Sequence, residues 1–132
     1  MIRLIFRPWR IFFARKDLRV VAFWLAQVAK NSERVFKRGM RGGHSGKIYY
    51  RSGRYHQASA PGEYPAVETG RLIASMRAHS TLNEAQIGTN MPYSRWLRMG
   101  TKHMARRKMS QNALVAGRAL SGSLGRWVKW QR

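Results

Sequence analysis

Apolar residues first recur at helical spacing: Leu18, Val21, Ala22, Leu25, Val28, Ala29 and Val35 share one face of a 3.6-residue period. This predicts a helix over 17–39, with Asp17 as N-cap, Gly39 as its stop, and Lys37 and Arg38 complementing the dipole in the last turn. The period then shortens. Segments 47–51 and 54–58 are β-rich and joined by Ser52-Gly53, a two-residue link suited to a hairpin. A proline-bearing connector over 59–67 leads to a short helix with Thr69 as cap and Leu72, Ile73 and Met76 as its apolar positions. A second strand pair is predicted over 77–80 and 84–89, turning at Leu82-Asn83. Asn90 is the predicted cap of the next helix, with Pro92 in its first turn, Trp96 and Leu97 facing inward, and Gly100 at its end. From Ser110 a last stripe runs through Ala113, Leu114, Gly117, Leu120, Leu124, Trp127 and Val128, with Gly122 and Gly125 as breaks.

These elements predict an α+β fold: a small antiparallel sheet with a long N-terminal helix and a C-terminal helix packed on it. At 132 residues and 44% hydrophobic content, one modest core is expected. The expected division is a domain over 17–121, preceded by a basic aromatic segment, 1–16, and followed by a basic aromatic tail, 122–132. The first segment carries Phe6, Trp9, Phe12 and Phe13, and the tail Trp127 and Trp130. Such aromatic and Arg mixtures could lie on a membrane surface or dock on a partner subunit, and docking is the preferred reading. No apolar run reaches the roughly 18 residues of a membrane span, so no membrane partner is expected.

Charge changes the picture most. Lys and Arg number 26 against five acids, for a net charge of +21. Most are Arg, whose planar fork suits phosphate and carboxylate, so the expected partner is nucleic acid or an acidic protein. The hairpin's Tyr49, Tyr50, Arg51, Arg54, Tyr55 and His56 could stack on and grip single-stranded nucleic acid. The preferred reading is plainer, a half-buried hairpin with a basic outer face.

Chemistry is sparse. There is no cysteine, so disulfides and thiolate chemistry are excluded. The segment 41–47 resembles a phosphate-binding loop, yet Arg41 stands where its first Gly belongs and Ile48 follows Lys47. His56, Ser59 and Glu63 suggest a triad by nearness in sequence alone, which is not how triads are recognised. His44, His79 and His103 lack the close spacing of metal ligands. No catalytic residue, metal site or cofactor is expected.

Two turn-rich runs carry a resemblance. The first, 58–72, includes Ser59, Ala60, Pro61, Gly62, Pro65, Thr69, Gly70, Arg71 and Leu72. The second, 87–101, includes Gly88, Thr89, Asn90, Pro92, Tyr93, Leu97, Gly100 and Thr101. In order and separation they resemble the neck, or tail-completion, proteins of long-tailed bacteriophages. The resemblance implies a non-enzymatic α/β virion subunit at the head–tail interface, assembled in the host cytoplasm into a ring, most simply a hexamer, around the DNA channel. Its implied neighbours are the head-closure ring and the tail terminator or tail tube. A tail terminator of the adjacent ring, or a non-virion nucleic-acid-binding protein, are the alternatives. The chain departs from the family at Arg98 and Met99, where an acid and an aromatic are usual, and at 104–109, where a proline-rich segment is replaced by basic residues. Arg98, Lys102, Arg106, Arg107 and Lys108 are therefore candidates to face DNA, without sequence specificity, or an acidic ring.

Overall fold

The computed structural model describes residues 15–122, and side chains from Leu18 onward. Phe6, Trp9, Phe12, Phe13, Trp127 and Trp130 lie outside the described residues, as do Leu124 and Val128 of the predicted last stripe.

The first helix, α1 (Arg15–Arg41), is longer than its sequence signals. Asp17 lies inside it and is not its N-cap. Gly39 does not end it either, because the missing Cβ is used for packing: a Cβ there would collide with the Tyr64 ring. Tyr64 sits in that notch, edge-on to Phe36 with centroids 5.5 Å apart. Val21, Leu25, Val28 and Ala29 are buried as the period predicts, while Leu18 is exposed. Trp24, Phe36 and Met40 complete the buried stripe.

Two hairpins follow. β1 (Ile48–Arg51) and β2 (Arg54–Gln57) pair antiparallel, Tyr49 opposite His56 and Tyr50 opposite Tyr55. Ser52 and Gly53 both take positive φ, 51° and 79°, the backbone twist that closes a two-residue hairpin. β3 (Arg77–Ser80) and β4 (Ala85–Gly88) form the second pair, Ala78 opposite Ile87. The hairpins do not join into one sheet. The second packs on α1 and on the C-terminal helix α4 (Ser110–Ser121), and the first on neither extensively.

The short helices are capped differently from expectation. α2 (Arg71–Ser75) starts after Gly70, whose φ of 75° supplies the bend, and Thr69 makes no side-chain cap bond. α3 (Ser94–Met99) starts after Tyr93, so neither Asn90 nor Pro92 opens it. α3 has no side-chain cap; Thr89 instead makes a turn ahead of it, its Oγ1 accepting the Met91 N–H at 3.1 Å. Gly100 ends α3 at φ 79°. Leu97 is half-buried as predicted, but Trp96 is 58% exposed.

Against α1, α4 presents small residues, Ala113, Gly117 and Ser121, with Leu120 pointing outward. The helices approach so closely at Gly117 that a Cβ there would strike the Ser32 backbone. Polar groups in this seam are satisfied within it. Ser32 Oγ donates to Val28 O at 2.6 Å, Asn31 Nδ2 to Ser121 Oγ at 2.9 Å, and Trp24 Nε1 to Gly122 O at 3.0 Å.

Candidate interaction surfaces

The two motif runs meet in one core. Tyr64, Val67 and Leu72 from the first, with Ile87, Met91, Tyr93 and Leu97 from the second, pack on Phe36 and Met40 of α1. Burying large apolar side chains of this kind stabilises a fold by about 1.5–3 kcal/mol each, so these turn-rich segments are part of the scaffold. Within the first run, Ala60 to Glu63 is a β-turn closed by Glu63 N–H to Ala60 O at 3.2 Å. Pro61 supplies its first central position and Gly62, at φ 80°, its second, the pattern of a type II turn.

Glu63 is the polar centre of this joint. Its carboxylate accepts the Ser45 hydroxyl at 2.6 Å, the Ala60 N–H at 2.8 Å and the Ser45 N–H at 3.2 Å. These bonds, that of the Ser45 hydroxyl foremost, lower its pKa from the ordinary 4.5 to about 2. His44 Nδ1 lies 3.5 Å from the same carboxylate, and Nε2 lies 2.9 Å from Met40 O, an acceptor that requires Nε2 to donate. The phosphate-loop lookalike at 41–47 thus cradles an anion, but the anion is the chain's own carboxylate. The backbone N–H of Lys108 bonds Glu63 O at 2.9 Å, tying the basic loop to the same point. Nothing in the sequence pattern links Glu63 to Ser45.

The triad suggested by nearness is not assembled. The His56 ring packs edge-on against Tyr49, Ser59 Oγ accepts from Arg107, and Glu63 is held by Ser45. Among the described residues no group of three His, Cys, Asp or Glu could hold a metal ion, and no helix is long and apolar enough to cross a membrane.

The five basic candidates divide. Arg98, Lys102, Arg106 and Lys108 are exposed. Arg107 is half-buried and committed: Nε donates to Ser59 Oγ at 2.9 Å, one terminal nitrogen donates to Ala105 O at 3.0 Å, and its backbone N–H bonds Leu97 O at 2.8 Å. It clamps the first motif run to the second. Ser59 of the first run and Leu97 of the second are therefore joined by a residue from the basic loop.

Two further surfaces are open, the hairpin already named from sequence and a groove that was not. The first hairpin stands out from the body, contrary to the expected half-buried form. Tyr50 is 66% and Tyr55 81% exposed, their rings 5.2 Å apart, with Ile48 and Gln57 on the same face. On the opposite face Tyr49 turns toward the body and Arg51 pairs with Glu68 at 2.9 Å. The other surface is an open groove of about 680 Å³ over the second hairpin. Ala74, Gly88 and Met91 line its floor, with the exposed side chains of Arg71 and Arg77 beside them.

In comparison with known proteins, the chain matches no protein-family model, no curated protein and no solved structure.

Proposed function

We propose that this chain is a structural protein of the neck of a long-tailed bacteriophage, joining or completing the tail at the head–tail interface as an oligomeric ring around the DNA channel. The observation that carries this reading is the meeting of the two motif runs in one core, clamped by Arg107. A resemblance borne by scattered turns has weight when those turns form a single structural joint, because a joint requires its residues together and in order. The net charge of +21 adds a second support, since a ring around a polyanion gains from a basic surface and an isolated ring of such subunits would repel itself. Arg98, Lys102, Arg106 and Lys108 are the residues that would face DNA phosphates or an acidic neighbouring ring.

Quantitative mass spectrometry of purified particles tests this. The reading expects the protein at a fixed ratio to the head–tail connector, and its absence from particles would overturn it. The second reading, a non-virion nucleic-acid-binding protein, is favoured by the exposed tyrosines of the first hairpin. It expects tight binding to single-stranded DNA by the free chain, weakening steeply with salt. A tail-terminator role is the third option, and the protein's height along the tail axis separates it from the first.

A further inference from the structure

We infer that the groove over the second hairpin is a docking site for an acidic peptide segment of another protein, which sets an aliphatic side chain on the groove floor and carboxylates against Arg71 and Arg77. No residue of the basic loop 98–108 lines this groove, so the inference goes beyond the neck reading and stands apart from it.

The groove is built from the outward side of β3 and β4 together with α2. Arg77 lies opposite Gly88 and His79 opposite Gln86, while Ala78 and Ile87 of the same strands pack toward the core. Strand alternation therefore puts Arg77, His79 and Gly88 on one open face, and the exposed Arg71 and Ala74 of α2 flank it. Ala74, Gly88 and Met91 make the floor apolar, and the volume of about 680 Å³ is that of a ligand cleft.

Charge selects the occupant. Among the described residues no Asp or Glu lines the groove, and the acid of this hairpin, Glu84, accepts from Gln86 Nε2. The Arg71 guanidinium has no hydrogen bond or ion pair among the described residues, so its fork is available to a carboxylate. Arg77 donates from one terminal nitrogen to Ala74 O at 2.6 Å and to Met76 O at 3.3 Å, which fixes its fork beside the groove and lowers the entropic cost of pairing it. A second copy, at +21, is repelled by such a surface. The chain's own ends do not supply the ligand either: 1–14 carry Arg3, Arg7 and Arg10, 123–132 carry Arg126, Lys129 and Arg132, and neither contains an acid. Nucleic acid is the other polyanion, but its phosphates gain nothing from an apolar floor, and among the described residues no Phe, Tyr or Trp lines the groove for bases to stack on. An acidic segment with an aliphatic residue uses both the floor and the two forks.

Fluorescence anisotropy with the full-length chain tests this, at about 0.15 M salt so that long-range attraction is screened. The probes are a short labelled peptide of alternating glutamate and leucine, one of alternating glutamate and serine with the same charge, and single-stranded DNA of that charge. The leucine peptide should bind roughly tenfold tighter than the serine peptide, the difference coming from the floor. Arg71→Glu should weaken the leucine peptide by about tenfold, whereas Arg34→Glu, the same charge change on an exposed position of α1, should weaken it by less than about threefold. Ala74→Gln, which keeps every charge, should remove the preference for leucine. Arg71 and Ala74 are both exposed, and an unchanged thermal midpoint shows that each variant is folded. Equal affinity for the two peptides, or equal losses in Arg71→Glu and Arg34→Glu, would overturn the inference in favour of bulk charge. A larger loss for DNA than for the leucine peptide in Arg71→Glu would overturn it in favour of nucleic acid. None of these results depends on whether the protein is found in particles, which bears on the neck reading alone.

Discussion

The two hairpins have strands of equal length and the same antiparallel pairing, yet one is woven into the core and the other stands outside it. The difference lies in which side chains alternate. In the second, Ala78, Ala85 and Ile87 point to one side and are small or aliphatic, so α1 and α4 close over them. In the first, both sides carry tyrosine, arginine or histidine, and no helix covers either one extensively. A β-rich segment is thus a statement about backbone, and the size and polarity of the alternating residues decide whether it joins the core or stands outside it.

The largest expected effect comes from the packed hairpin. Ile87, 1% exposed, belongs with Phe36 and Met76 to the main buried cluster. Ile87→Ala should cost about 2–4 kcal/mol in urea unfolding, from lost burial and the cavity left behind. A loss of under about 1 kcal/mol would mean the second hairpin is not held as described.

Gly117 tests the seam that receives this hairpin. Gly→Ala inside a helix ordinarily gains up to about 1 kcal/mol. Here the added Cβ meets the Ser32 backbone, and Gly117→Ala should instead lose about 1–3 kcal/mol by overpacking.

Glu63 sharpens the comparison by acid, because it pins the root of the exposed hairpin through Ser45 and Ala60. Its folded pKa is lowered, so its stabilisation is full above about pH 4.5 and is lost as pH falls toward 2. Hydrogen exchange should therefore show the amides of the first hairpin losing protection over that window before those of the second. Glu63→Gln should remove the pH dependence of that difference.

The smallest effect is expected for the exposed tyrosines of the first hairpin. Tyr50→Ala and Tyr55→Ala should each change the free chain's stability by less than about 1 kcal/mol, the range of an exposed cross-strand pair. A larger loss would show their face to be part of the core.

Element types were legible where the period was strong. α1, both hairpins and α4 follow from apolar spacing and from Ser52-Gly53, and the α+β class follows from them. Helix ends were less legible: Gly100 and Gly122 end α3 and α4 as read, but Gly39 serves packing by making room for Tyr64, and Thr89 rather than Asn90 makes the turn before α3. Burial of single aromatics was least legible. Trp24 and Trp96 are alike in composition, but only Trp24 faces a helix across its seam. Of the candidate surface, exposed basic residues could be named from charge alone. The commitment of Arg107 to Ser59, 48 residues earlier, depended on the fold.

The most direct test of the account is a cryo-electron microscopy map of the phage neck, resolved well enough to place side chains in this subunit. The account predicts a closed ring of this chain between the head-closure ring and the tail tube, with the exposed Arg98, Lys102, Arg106 and Lys108 turned toward DNA or an acidic neighbouring ring. A neck lacking the chain, or a ring in which these residues face neither DNA nor an acidic surface, would contradict it.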